Sequence, residues 1–527
     1  MRRKRKSSAC SSEVKFKELP KGNTEYARGL FGDASTFKSI PTELLSLIFE
    51  FAAGGSPLLL PCFREPRAPR VAIPALLSQV CRRWRYIAIQ TLWHRLSFGF
   101  GYSGRYLHLP VPYRDKLEHC LNLISPYRLL DIELHACERL PQGVLQNIVV
   151  ENAPRLRFLH VDLDEESTEI FMRLPHHMFP VLRDLSIHFV GQKFTLFLEG
   201  SVDDFTPIAQ LAPGLTRFGF SAQALFHPLS LGVNLGQLQS LSLDMRVQQN
   251  QFFEDILPLL SGTLQSLKLK LFAKGLQSSS DLSRKAYSII NFRCLSECRL
   301  TFPTYMALTQ FFLQVKLPAL KDLSLTAAFC YTPNEAYSSL FHYTLLSAFR
   351  GFDIQLNSLE LSRILELTNG YLMSLLVNHG TRLTSLNITG CTGNGTKELF
   401  QSEDITLLPK LTAFTSYGLE ETLFRPLVQF IMRRTDRAWD GPSRVKEVRL
   451  STSSHLQYNR AYAHYGNELI LAAKAWREVG VDVFLSCVNG CTAWDWVFMS
   501  DNYQKNSDKT SDGVQVPRGR EHNYGVL

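Results

Sequence analysis

The sequence predicts an α/β chain: a small all-α unit near the N-terminus, then a curved solenoid with parallel strands inside and helices outside. Three observations carry this expectation. A six-residue pattern, apolar-x-x-apolar-x-apolar, recurs twelve times between residues 129 and 450. Amphipathic helical stretches separate the copies. Ahead of the array stand two amphipathic stretches that lack the pattern, "SIPTELLSLIFEFAA" (39–53) and "LLSQVCRRWRYIA" (76–88).

The repeat units open at residues 129, 156, 182, 215, 238, 264, 295, 320, 356, 383, 411 and 445, among them "LRDLSI" (182–187), "LQSLSL" (238–243), "LNSLEL" (356–361) and "LTSLNI" (383–388). Their mean spacing is about 29 residues, inside the range of 20 to 29 that leucine-rich repeats show once a few insertions are allowed. The last two apolar positions alternate, as one buried face of a short strand requires, and the first anchors the turn leading into it. Helical stretches follow at "GVLQNIVVENA" (143–153), "FFEDILPLL" (252–260), "TYMALTQFFLQV" (304–315) and "YLMSLLVNHG" (371–380). No such unit can bury its apolar side alone, so neighbours must stack. The stretch "ELILAAKAWREVGVDVFL" (468–485) is expected to cap the far end, and residues 500–527 turn polar and aperiodic, as a disordered tail does. The pattern resembles the irregular form of the leucine-rich repeat family across residues 129–485. The asparagine or cysteine that usually closes that family's turn is mostly missing.

In the N-terminal stretches, Pro41 suits a first helical turn and Glu43 the positive end of the helix dipole. Leu44, Leu45, Ile48, Phe49 and Phe51 give more apolar area than one short helix can hide, which points to a partner. A single helix over 76–88 would place Leu77, Val80, Cys81, Trp84, Ile87 and Ala88 in one stripe, with Arg82, Arg83 and Arg85 outside it. Trp84 is then core and the arginines a solvated face, which argues against a nucleic-acid surface, where rings must be open to bases.

"IPTELLSLIFEFA", "LLSQVCRRWRYIA" and "TLWHRLSF" together resemble the F-box, whose pattern runs from an apolar residue and proline through Glu and Leu-Leu to Val-Cys-x-x-Trp and Leu-Trp. Ile40, Pro41, Glu43, Leu44, Ile48, Val80, Cys81, Trp84, Leu92 and Trp93 stand at matching positions. The domain would span 39–98, with a proline-rich insertion at 54–74 longer than the family's turn, a basic disordered segment before it (1–38) and a linker after it (99–128). The resemblance implies binding to an acidic Skp-type adaptor that tethers the chain to a cullin and RING subunit. It places adaptor contacts at Ile40, Pro41, Leu44, Leu45, Ile48, Phe49, Val80 and Cys81, and domain core at Trp84, Leu92 and Trp93.

The net charge of +9 is local: "RRKRK" (2–6) and the eight arginines between residues 64 and 105 hold the excess, and the remainder is close to neutral. The first could serve as a nuclear-import address, the second as long-range steering toward an acidic partner. No apolar run suits a membrane span or signal peptide, and the 11 cysteines are scattered, so a soluble chain in the cytoplasm and/or nucleus is expected. Catalytic motifs fail on context. "GFGYSG" (99–104) meets prolines instead of a helix. In "GCTGNGTK" (390–397) the threonine precedes the lysine, so the phosphate-loop order is reversed. Cys294 with Cys298 and Cys487 with Cys491 lack second pairs, and His176 beside His177 cannot converge on one ion, so no metal and no cofactor is expected.

Beside the buried strand positions, His160, Asp162, Asp184, Ser240, Ser242, Lys268, Asp322, Ser324, Glu360 and Asn387 are expected to line the substrate-facing side. They are small and polar, few of the Trp, Tyr or Arg type that dominates binding energy, and name no substrate. The sequence thus leads to a non-catalytic substrate receptor of a Skp-cullin-F-box ubiquitin ligase. The alternative is a repeat scaffold without a ubiquitin role, in which the helices only cap the array. Exposure of Leu44 and Ile48 separates the two.

Overall fold

The computed structural model describes residues 40–53, 58–61, 73–100, 118–136, 139–141, 143–190, 205–225, 231–246, 256–260, 262–272, 289–302, 305–327, 335–349, 354–364, 370–391, 394–402, 407–417, 423–435, 444–452 and 471–487. The chain is α/β with a large parallel sheet, and it divides into two compact units. The smaller comprises residues 1–60, 65–97 and 112–128, the larger 61–64, 98–111 and 129–527. The segment "RRKRK", the tail 500–527, most of "GFGYSG" and most of the insertion 54–74 lie outside the described residues. Within that insertion 58–61 form a short strand.

Among the described residues the smaller unit holds three helices, α1 (Thr42–Ala53), α2 (Ile73–Val80) and α3 (Arg82–Leu92), and residues 118–123, within the stretch expected to be a linker, are helical as well. In α1 the spacing i, i+4, i+8 buries Leu45, Phe49 and Ala53, which cluster with Ile87, Ala88 and Leu92 of α3. Trp84 meets Phe49 edge to face, ring centroids 4.9 Å apart. The single helix expected over 76–88 is corrected to two. Cys81 is extended (φ −157°, ψ 172°), and its Sγ accepts from the Trp84 backbone N–H at 3.4 Å, capping α3. The break rotates Val80 and Cys81 out of the buried stripe, leaving both exposed. Of the arginines expected to be solvated, Arg82 and Arg85 are exposed and Arg83 is half-buried, and two of them also tie the helices. Arg83 donates to the Ile40 carbonyl at 2.5 Å and Arg85 to that of Ser78 at 3.0 Å, while Trp93 Nε1 donates to Ser78 Oγ at 3.2 Å.

In the larger unit all twelve sequence units supply a strand: β1 (Leu130–Ala136), β2 (Leu156–Leu163), β3 (Asp184–Phe189), β4 (Arg217–Leu225), β5 (Ser240–Arg246), β6 (Ser266–Phe272), β7 (Glu297–Phe302), β8 (Asp322–Ala327), β9 (Ser358–Ser362), β10 (Ser385–Thr389), β11 (Ala413–Tyr417) and β12 (Glu447–Thr452). The expected capping segment supplies β13 (Asp482–Cys487). Each pairs in parallel with its chain neighbours. The register is strict enough that one rung of buried side chains runs from Ile132 through Leu159, Leu185, Phe218, Leu241, Leu267, Cys298, Leu323, Leu359, Leu386 and Phe414 to Val448 and Val483. At about 2 kcal/mol for each such side chain taken from water, this rung is a principal stabiliser of the unit.

At the second position of the unit, ahead of the strand, hydroxyls tie neighbouring units together. Thr216, Ser296, Thr384 and Thr412 donate to the carbonyls of Arg183, Gln265, Asn357 and Thr384, each the same position one unit earlier, at 3.1–3.2 Å. Ser416 takes a buried position where the pattern prefers an apolar residue, and its Oγ donates to the Ile388 carbonyl at 2.5 Å.

The connecting helices depart in part from expectation. Residues 143–153 give a π-helix, Leu145–Val150, closed by Glu151 N donating to Gln146 O at 3.1 Å, instead of an α-helix. Leu257–Leu260 is a 3₁₀ turn holding Pro258, whose missing N–H disfavours an α-helical continuation. Helices Tyr305–Gln314 and Tyr371–His379 form where expected, and the insertion 327–355 contains a further helix, Glu335–Phe349. No helix among the described residues is long and apolar enough to cross a membrane.

His342 on helix Glu335–Phe349 is 4% exposed and stacks on Tyr371 at 5.2 Å. Burial pushes its pKa down to about 4 from an ordinary 6.5. The unfolded imidazole therefore takes up a proton first as pH falls, and stability declines by about 1.4 kcal/mol per pH unit through that window, about 3 kcal/mol in all. Urea melts at pH 7 and pH 4.5 should show a smaller loss for His342→Phe than for the native chain. Equal losses would remove His342 as the cause.

Candidate functional site

Among the residues expected at the adaptor surface, the helical unit sorts two classes. Leu44 (51% exposed) and Ile48 (50%) lie open on α1, joined by Leu47 (60%) and Phe51 (90%). These four occur at i, i+3, i+4 and i+7, a single helical stripe. Leu45 and Phe49 are fully buried, so their assignment as adaptor contacts is corrected to domain core. Pro41 is exposed and Ile40 half-buried against the cluster. Val80 (60% exposed) and Cys81 are open, Leu92 is buried, and Trp84 and Trp93 are half-buried against the core. The sequence reading left Leu47 and Phe51 out of the contact set, although their spacing from Leu44 marks them.

On the larger unit the polar strand positions form rungs of their own. One runs from Glu133 through His160, Ser186, Gly219, Ser242, Lys268, Arg299, Ser324, Glu360 and Asn387 to Thr415, Arg449 and Phe484. An open polar depression of about 410 Å³ draws together Asp184, Ser240, Ser242 and Lys268 with Arg217, Gln239, Gln265 and Glu297. Gly219 keeps its floor low, since a Cβ there would meet Ser186 Oγ at 2.9 Å. Glu297 is the charge hub: Arg299 Nε lies 2.7 Å and Lys268 Nζ 4.0 Å from its Oε1, and Ser266 donates to its Oε2 at 2.8 Å. Burial alone would raise the Glu297 carboxyl, but the Ser266 hydrogen bond and the two cations outweigh it and hold the pKa below the ordinary value. Asp184 goes the other way, raised by burial against the opposing pull of Arg217, 3.7 Å away. Asp322 is raised for the same first reason, then by Glu297. Farther along, Asn387 donates to Glu360 at 3.0 Å, and Ser324 lies half-buried on the rung between Arg299 and Glu360. Arg217, Glu297, Arg299, Arg449 and Phe484 were not selected from the sequence, although each sits at the third or fifth position of a unit or of the final strand.

Asp162 stays on the His160 side of its strand, but it is a residue of this expected face that the structure buries. It is 6% exposed, and its Oδ2 accepts the Ala136 backbone N–H at 2.9 Å. Three histidines surround it. His160 Nε2 and His188 Nδ1 each lie 3.2 Å from Oδ1, and His135 Nδ1 lies 3.8 Å from Oδ2. His160 Nδ1 faces Ser186 Oγ at 3.0 Å, and His135 Nε2 faces Glu133 at 3.5 Å. Burial opposes ionisation of Asp162, but the three imidazoles and the backbone N–H prevail, holding its pKa far below the carboxylate range. The hydrogen bonds to Asp162 and then Glu133 raise His135 to about 9, and that to Asp162 raises His188. His135, His160 and Asp162 are the one group among the described residues with donor atoms placed to share a metal ion, all within 4.8 Å of one another.

The cysteines once weighed as ligands sit apart: Cys294 is exposed, and Cys298 is a fully buried core position whose thiol burial pushes up. Cys391, the buried second residue of "GCTGNGTK", has its thiol pushed up to about 12 by the same cause, while Thr396 and Lys397 fall on helix Asn394–Gln401. No family model matches this chain, and no curated protein is similar to it.

Proposed function

We propose that the chain is a non-catalytic substrate-recognition subunit of a Skp-cullin-F-box ubiquitin ligase. In this reading the helical unit is an F-box that binds a Skp-type adaptor, and the parallel ladder is a leucine-rich-repeat solenoid that holds the protein to be ubiquitinated. The observation that carries it is the α1 stripe of Leu44, Leu47, Ile48 and Phe51, half to nine-tenths exposed beside a helix face already committed to core. A helix with a second apolar stripe open to water is suited to lie in a partner's groove. Exposed Val80 and Cys81, at the junction of α2 and α3, add to the apolar and small surface a partner would meet. Strand order, register and the hydroxyl-to-carbonyl bonds between successive units support the solenoid reading of the larger unit.

The test is co-purification of the full chain with a Skp-type adaptor. The native chain should bind, and Leu44→Asp with Ile48→Asp should weaken binding at least about 100-fold, because each buries a carboxylate in an apolar contact. Unchanged helix content in the variant, read by circular dichroism, separates lost contact from lost fold. A native chain that binds no adaptor would sink the proposal.

A further inference from the structure

We propose that His135, His160 and Asp162, completed by His188, form a binding site for a divalent transition-metal ion of the zinc class. The four residues come from three adjacent strands. His135 is the seventh residue of the first repeat unit, Asp162 of the second and His188 of the third, and His160 stands two positions before Asp162 on the same strand. Strand register sets Asp162 directly beside His188. The parallel ladder thus stacks imidazole, carboxylate, imidazole along one line, with a third imidazole next to the carboxylate. A strand period of two keeps residues 160 and 162 on one side.

Three features fit an ion better than a plain cluster of ion pairs. The donor set is three neutral-capable nitrogens and one carboxylate, which suits tetrahedral zinc and its neighbours in the transition series and not the all-oxygen shells of calcium or magnesium. The carboxylate is fixed in advance by the Ala136 N–H. The outer shell is also in place: Ser186 Oγ meets the far nitrogen of His160, leaving Nε2 turned to the site, and Glu133 meets the far nitrogen of His135. The donors of His135, His160 and Asp162, within 4.8 Å of one another, need only modest ring rotation to reach the roughly 3.3 Å separations of a tetrahedral shell with bonds near 2.0–2.1 Å, and His188 Nδ1 lies 3.2 Å from Asp162 Oδ1, from where it would have to swing in as the fourth donor. The His135 side chain, 48% exposed, supplies the mobile wall and the route in, while Asp162, at 8%, is the anchor.

The test uses the full chain, stripped with chelator and dialysed. Zinc should bind at one equivalent in competition with a chromophoric chelator, and cobalt(II) should give the visible d–d bands of a four-coordinate nitrogen and oxygen site. His135→Ala with His160→Ala should lower zinc affinity at least about 100-fold, because it removes two nitrogens that would bond the ion, a larger loss than the 10–100-fold typical of changing groups that only orient the ligands. If that variant does not fold, His135→Gln, at a half-exposed ring, replaces it and should still lower affinity at least about tenfold. A native chain that takes up no zinc would overturn the proposal. So would wild-type affinity in the variants, or a cobalt spectrum dominated by thiolate charge transfer, which would move the site to cysteines. Adaptor binding plays no part in these readouts, so the two proposals stand or fall separately.

Discussion

Phe49→Ala should cost the helical unit about 3–5 kcal/mol, most of what so small a core can supply. Phe49 is fully buried, and its ring meets the edge of Trp84 at 4.9 Å inside a cluster whose other buried members are only Leu45, Ala53, Ile87, Ala88 and Leu92. Of those five buried side chains two are alanines, and the leucines and Ile87 are already packed. The cavity term therefore adds nearly in full to the lost transfer energy. Phe51→Ala is the internal control. It removes the same ring two residues later, where the side chain is 90% exposed, and should change stability by no more than about 0.5 kcal/mol. Hydrogen exchange of the α1 and α3 amides, compared between the two variants, reads the difference. Similar protection in both would contradict the division of α1 into a core face and an open face, and with it the basis of the adaptor proposal.

The sequence made the strand ladder legible because its signal is redundant. Each unit repeats the same three apolar positions, and a one-residue error in any unit would turn its buried leucines to water. Ten of the twelve strands open at the third residue of the unit. The junction at Cys81 was not legible. Periodicity continues through it as though α2 and α3 were one helix, and the capping group is a thiol in place of the hydroxyl or carboxylate that usually marks a helix start. Leu45 and Phe49 were misplaced for a related reason: α1 has apolar residues on two faces, and composition cannot say which face the rest of the unit covers.

The histidine cluster was missed because it is invisible to linear spacing. His135, His160 and His188 are 25 and 28 residues apart in turn, far from any compact ligand motif, and the cluster emerges only when the seventh positions of successive units, His135, Asp162 and His188, are compared, with His160 two positions before Asp162. In a repeat array the informative distance is the unit length. The same comparison would have gathered Arg217, Ser240 and Glu297, third residues of their units, into the polar depression.

Arg434→Met should destabilise the larger unit by about 3 kcal/mol, and Arg434→Lys should recover less than half of that. Arg434 lies near the end of helix Phe424–Thr435, only 6% exposed. Its Nη1 donates to the Leu408 carbonyl at 3.0 Å and its Nη2 to the Leu407 carbonyl at 2.5 Å, with its Cζ 4.6 Å above the Phe430 ring. Leu408 holds a left-handed φ of 56°, a conformation that costs a non-glycine residue about 1 kcal/mol or more and persists only where neighbours fix it. Methionine keeps the apolar stem but strips both carbonyls of a charged donor, at about 1.5–3 kcal/mol for each such bond less what Leu411 N already gives Leu408 O at 3.2 Å. Lysine keeps the charge, yet a single ammonium cannot reproduce a planar fork aimed at two consecutive carbonyls. Arg433 repeats the theme from the outer side, donating to Phe400 and Ser402 carbonyls at 3.2 and 3.0 Å. Arg83 and Arg85 do the same in the helical unit: guanidinium groups donate to backbone carbonyls of a neighbouring element. If Arg434→Met melts within 0.5 kcal/mol of the native chain, that use of arginine is refuted for the residue most completely committed to it.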